Sequence, residues 1–149
     1  MKKLFLALAA FSAIISCSSD DDNSKKEEVS PIVGTWNQYK ADVYTTSDNK
    51  TKAVYPSGCE SENIFEYNKT EVNTVGYSLN KDGVCVPSDY HNAKYTYDQN
   101  DKKLWYNNSN RVYKVTKLTV TELVTEDNTE DRDDDGKNDV VIRYFRRVK

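Results

Sequence analysis

The chain is short of the residues on which most catalysis depends. Its 149 residues include one histidine, His91, and one methionine. A single histidine is a thin supply for general acid–base chemistry, and His91, beside Tyr90, reads as a surface residue. No serine sits in a nucleophile elbow, no glycine-rich loop is spaced to cradle phosphate, and no metalloprotease motif is present. Carboxylates are so numerous that no two stand out as a glycosidase pair. These gaps predict a protein that is not an enzyme. A basic excess is also missing. The formal net charge is −3, which argues against nucleic acid as a partner. Leucine is scarce as well, whereas tyrosine numbers eleven, and tyrosine, threonine and valine favour strands. After residue 16 no run is apolar enough and long enough to cross a bilayer.

The start of the chain is different. Met1-Lys2-Lys3 is basic, and Leu4 to Ile15 is an apolar run. As a helix it would span about 18 Å, short of the hydrocarbon core of about 30 Å. That is the length and polarity of an export signal. It ends Ile14-Ile15-Ser16-Cys17 and resembles the bacterial lipobox. The resemblance implies cleavage before Cys17 and lipid on its thiol and amine, a stable anchor when two or more chains are attached. Of the 21 basic side chains, Lys2 and Lys3 fall in the signal, leaving 19 against 24 acidic ones. Next comes Ser18-Ser19-Asp20-Asp21-Asp22, then Asn23 to Glu28, whose composition predicts a disordered tether. The acidic start resembles the signal that sends some lipoproteins to the outside of the outer membrane. The sequence leaves the inward and outward faces both open.

The expected organisation is a signal peptide at 1–16, a lipidated cysteine and tether at 17–30, and one β domain at 31–149, a length suited to a single core. Short alternating runs separated by turn signals predict about eight strands and no helix. They lie near 34–45, 62–67, 71–79, 93–98, 103–107, 111–117, 121–125 and 140–147. Asn80-Lys81-Asp82-Gly83 is the clearest hairpin signal, because Asp-Gly tolerates positive φ. Ile32-Val33-Gly34-Thr35-Trp36, the placement of Cys59 and Cys85 around an aromatic strand, and Val115-Thr116-Lys117-Leu118 resemble small lipocalin-like domains of bacterial lipoproteins. The resemblance covers 31–149. It implies an all-β fold, a small antiparallel barrel of about eight strands with Trp36 plugging one end, and a small apolar or amphipathic ligand in its mouth. A filled barrel that meets a protein or glycan through its loops is the other reading. Tyr95, Tyr97, Trp105 and Tyr106 are expected in the core or in cross-strand pairs rather than on sugars.

With Cys17 lipidated, Cys59 and Cys85 remain as an even pair in an exported domain, which reads as a disulfide. The acidic run Asp131-Arg132-Asp133-Asp134-Asp135-Gly136-Lys137-Asn138-Asp139 offers a candidate calcium loop. Asp131, Asp133, Asp135, the Lys137 carbonyl and Asp139 fall at positions 1, 3, 5, 7 and 9, with glycine at 6, oxygen ligands suited to Ca2+. Ile142 stands where an EF-hand needs glutamate. The spacing resembles instead the aspartate-rich calcium repeats of thrombospondin type 3 modules. A solvated acidic hairpin remains the alternative.

Overall fold

In the computed structural model residues 29–148 are described. The export segment, Cys17 and nearly all of the expected tether lie outside them. Among the described residues nine strands form: β1 (Gly34–Thr45), β2 (Lys50–Val54), β3 (Ile64–Tyr67), β4 (Glu71–Leu79), β5 (Cys85–Asp98), β6 (Lys103–Tyr106), β7 (Val112–Leu118), β8 (Glu122–Glu130) and β9 (Asp139–Arg147). Every pairing is antiparallel, and β9 returns to β1 from Trp36↔Arg147 to Tyr44↔Val140, which closes the sheet. One edge of β1 belongs to β9. The other is shared by β3, beside residues 34–37, and β2, beside residues 41–45. Thus β2 and β3 together complete a barrel that is eight strands around, with residues 55–63 looping out between them. Closure of β9 on β1 removes most of the sheet's exposed edges, leaving the short β2 with β1 as its one strand neighbour.

Alternation decides which side chains enter the interior, but four irregularities in register shift it, one of them between Asp127 and Glu130. In β1, Gln38 lies opposite Phe145 and Ala41 opposite Arg143, with a register shift between Gln38 and Lys40. Even-numbered residues point inward before the shift and odd-numbered ones after it. The first half contributes Trp36, which is wholly buried. Further shifts fall between Gly76 and Tyr77 and between Val115 and Lys117.

The short turns at 68–70, 99–102 and 119–121 gather at one end, and this end is plugged. Ile32, Trp36, Leu104, Val115 and Leu123 pack there, each at most 2% exposed. The Trp36 indole donates to the Ile32 carbonyl at 2.8 Å. Arg147 lies 4.2 Å over the Trp36 ring and donates to the carbonyls of Val120, Val33 and Pro31. The last strand is thereby fastened across the segment that precedes the first.

Longer connections crowd the other end. A disulfide joins Cys59 to Cys85, bridging a 26-residue separation. Cys59 lies in a short 3-10 helix, Gly58–Glu62. Asn37, pointing out of β1, donates to the carbonyls of Ser61 and Asn63 at 2.9 Å, and so holds that helix to the wall. The sequence predicts no helix and a second strand near 62–67, whereas the 3-10 helix takes residues 58–62 and the strand begins at Ile64. Nor does the sequence predict β2, whose five residues Lys-Thr-Lys-Ala-Val are all exposed and carry no apolar alternation. The fifth strand starts eight residues earlier than expected. Residues 87–92 of it are exposed and include Pro87, which lacks an N–H for the ladder and is tolerated because it lies beside the bulge opposite Gly76 and Tyr77.

Candidate functional site

Between the plug and the open end the barrel is not filled. A cavity of about 290 Å³ remains, lined by β1, β3, β4, β5, β6, β7, β8 and β9 and the 107–111 loop. Its apolar wall consists of Phe65, Tyr67, Val72, Ala93, Tyr106, Tyr113 and Phe145. Aromatic rings meet edge to face around it: Phe65 with Phe145 at 5.4 Å, Tyr67 with Tyr95 at 5.0 Å, and Tyr106 with Tyr113 at 5.5 Å between centroids. Such contacts fix ring orientations and keep the wall from collapsing into the space.

Polar groups punctuate this wall. Gln38, Thr74, Asn108, Thr125 and Arg143 also line the cavity. Arg143 is placed by β9, where Val141, Arg143 and Phe145 share the inner face. Its partner Asp127 is placed by β8 on the same face as Leu123 and Thr125. Arg143 Nη1 donates to Asp127 Oδ2, whose carboxylate also accepts the Thr129 hydroxyl at 3.1 Å. The Asp127 side chain has no exposure and that of Arg143 little. The guanidinium stands 5.8 Å from the centre of the Tyr113 ring. Removing two charges from water costs several kcal/mol each, and this pairing offsets much of that cost.

Tyr67 and Tyr106 touch through their hydroxyls at 2.5 Å. Burial pushes the Tyr106 phenol up to about 12, against the hydrogen bond with Tyr67 and, more weakly, the charge of Arg143. Burial likewise holds Tyr67 well above the ordinary phenol range, and the neighbouring Tyr106 adds to it. Both phenols are neutral hydrogen-bonding groups at physiological pH. Tyr95, expected in the core, is there, and its hydroxyl donates to the Asn68 carbonyl at 2.6 Å. Tyr97 packs against the same core, whereas Tyr106 borders the cavity. His91 is exposed and lies 2.9 Å from the Asp89 carboxylate.

The acidic loop, at the open end, is only partly arranged as its spacing predicts. Carboxylate oxygens of Asp131, Asp133 and Asp139 lie within 4.8 Å of one another. Asp135 stands apart from that trio, accepting from the Thr46 hydroxyl at 3.1 Å and from the Lys137 amide at 2.8 Å. Asp139 is fully buried. One of its oxygens accepts the Thr46 amide at 2.9 Å, the other the Arg132 amide at 2.8 Å. Asp133 accepts the Ser47 hydroxyl. The loop is therefore pinned to the β1–β2 turn. Amides of Gly136, Asp133 and Asp135 aimed at Asp131 hold its carboxyl below the usual range, that of Gly136 foremost. Positive φ at Asp134 and Gly136 (59° and 85°) lets the chain wrap so tightly.

No ligand-binding residue was named from the sequence, although one signal was present. Arg143 and Asp127 each occupy an inward place in an alternating strand whose other inward residues are apolar or small. A charge in such a place reports a buried pair or a site, but only the register shows that β8 and β9 set the two together.

A closed antiparallel barrel, plugged at one end and hollow at the other, defines a class of small ligand-enclosing β proteins. Within that class the chain belongs to the lipocalin-like domain family, whose model matches residues 32–125. The barrel continues past that match through β9 to Arg147. Among solved structures the chain is similar to a deswapped triple mutant of bovine odorant binding protein. That match has 18% identity and a TM-score of 0.43, over 79% of this chain and 74% of the other. It is also similar to a bovine lipocalin allergen, with 14% identity and a TM-score of 0.43 over 80% and 74%. A third is aphrodisin, a sex pheromone from female hamster, with 13% identity and a TM-score of 0.38 over 76% and 72%. No curated protein matches the chain.

Proposed function

We propose that this protein is an exported envelope lipoprotein, cut before Cys17 and anchored through it to the outer membrane, whose barrel holds a small apolar or amphipathic molecule without transforming it. The cavity of about 290 Å³, open at one end and lined by both aromatic and polar side chains, carries the binding part of this reading, since clefts and hollows of roughly 300 Å³ and above are where small ligands lodge. The polar groups around it suit holding rather than catalysis. The guanidinium is paired, and the Tyr106 phenol titrates near 12, far from the neutral range where a proton shuttle works best. The anchoring part rests on the basic start, the short apolar run and the Ser16-Cys17 junction.

The experiment is a titration of the full chain with N-phenylnaphthylamine, whose fluorescence rises in apolar surroundings. Saturable binding of one probe per barrel is expected, and Ala93→Trp, which fills the cavity from β5, is expected to abolish it. Binding that survives Ala93→Trp, or none in the unaltered chain, rejects the reading in favour of a scaffold that acts through its loops. Calcium is proposed for the acidic loop, on the strength of the three converging carboxylates. Its role would be to stiffen the open end.

A further inference from the structure

The cavity wall has more hydrogen-bond donors to offer than the protein uses. A guanidinium carries five N–H donors. Among the described residues, the side-chain hydrogen bond of Arg143 is the one to Asp127, and Arg143 lines the cavity. The phenols of Tyr67 and Tyr106 hold two protons between them. Their mutual contact uses one, and neither hydroxyl has another partner among the described residues. Gln38, Thr74, Asn108 and Thr125 offer both donors and acceptors around the wall, but the surplus at Arg143, Tyr67 and Tyr106 is of donors and favours a ligand that brings an acceptor to them.

The charge balance narrows that acceptor further. Arg143 is already neutralised by Asp127, and Asp127 is buried. A carboxylate entering here would leave one uncompensated negative charge in a weakly polar space, which is strongly disfavoured. A carbonyl oxygen brings no charge and needs only the donors that stand ready. The body of the ligand must lie among Phe65, Phe145, Tyr106 and Tyr113, whose rings favour flat unsaturated faces. The small volume leaves room for about two fused rings.

We propose that the cavity selects a neutral, flat, apolar molecule bearing one carbonyl oxygen, which the free part of the Arg143 guanidinium receives. This rests on the barrel being a ligand-holding one. The proposal is tested by calorimetric titration of the full chain with three probes of nearly equal size: acetylnaphthalene, naphthoate and ethylnaphthalene. A hydrogen bond to a charged donor makes the ketone the tightest, by at least about tenfold over the hydrocarbon. In Arg143→Leu/Asp127→Leu, where both charges go together, that ratio is expected to fall to about one.

Equal affinity for ketone and hydrocarbon in the unaltered chain overturns the role of Arg143 while leaving the barrel a ligand holder. Tightest binding of naphthoate also overturns it, in favour of an anionic ligand. Absence of heat with all three, from protein whose circular dichroism shows the folded β state, overturns both this proposal and the reading beneath it. The three-probe series on the unaltered chain decides the matter even if the double variant does not fold.

Discussion

Single residues carry the chemistry of the barrel interior, and two of them make sharp stability predictions. Arg143 and Asp127 form a buried pair, so removing one partner strands the other. Arg143→Leu is expected to cost about 3–5 kcal/mol in urea unfolding, whereas Arg143→Leu/Asp127→Leu should fall far closer to the unaltered chain. If the single and double variants lose equally, the pair is not coupled as the geometry implies. Tyr106 gives a pH signature. Its phenol ionises near its ordinary value of about 10 in the unfolded chain and near 12 in the barrel. Between those pH values the folded state keeps a proton that the unfolded state has lost, so its stability is intact below about pH 10 and falls as pH rises toward 12. The slope is about 1.4 kcal/mol per pH unit for one such group, and Tyr67 acts in the same direction. Tyr106→Phe should flatten the alkaline decline; an unchanged slope would place the proton loss elsewhere.

At the scale of elements, the 131–138 loop and the β1–β2 turn behave as one unit. Asp139 ties them through two backbone amides, while Asp133 is exposed and reaches only the Ser47 hydroxyl. These roles separate structure from metal binding. Asp139→Ala is expected to cost about 1–3 kcal/mol already in EDTA, because it leaves two amides unpaired, and more in calcium, because Asp139 is also one of the three converging carboxylates. Asp133→Asn should leave the EDTA-treated chain nearly as stable as before. It should also remove the stabilisation that calcium confers on the unaltered chain, about 2.7 kcal/mol at one hundred times the dissociation constant. Melting curves in EDTA and in graded calcium, with magnesium as control, read all of this. No calcium-dependent shift would make the loop a solvated hairpin braced by its own amides.

For the whole molecule, the closed barrel and the proposed anchor are tested separately. The barrel has a plugged end secured by Arg147 and a hollow end. The proposed anchor depends on Cys17, which lies outside the described residues. Expressed in a Gram-negative host, the full chain should sediment with membranes, and mass spectrometry should find diacylglycerol on Cys17. Cys17→Ser should move the protein to the soluble fraction with its probe binding intact, since two acyl chains hold a protein on a bilayer and none does not. A soluble, unmodified wild-type chain would defeat the anchoring proposal.

Much of this architecture was legible in the order of residues. Alternation in β1, β4, β7 and β9, the Asn80–Gly83 turn with its positive φ of 75° at Gly83, and the Gly-Thr-Trp start point to a plugged antiparallel barrel. The cysteine pair also joins as expected. Such features are local, so short-range sterics and polarity determine them. The unread parts depend on partners distant in the chain. The five exposed residues of β2 become a strand only because β1 offers them a ladder. The bulge after Gln38 turns Ala41 rather than Lys40 inward, and no alternation rule reports a bulge in advance. Arg143 and Asp127 were visible as charges, as was Asp139, yet whether a charge meets water, a counter-charge or two amides is settled by register. The sequence by itself determined the strand-rich class, the signal-like start and the disulfide pair. Only the tertiary structure decided that a cavity remains, and that a paired guanidinium and two neutral phenols line it, because packing and cross-strand register are sums over the closed sheet and not properties of any one segment.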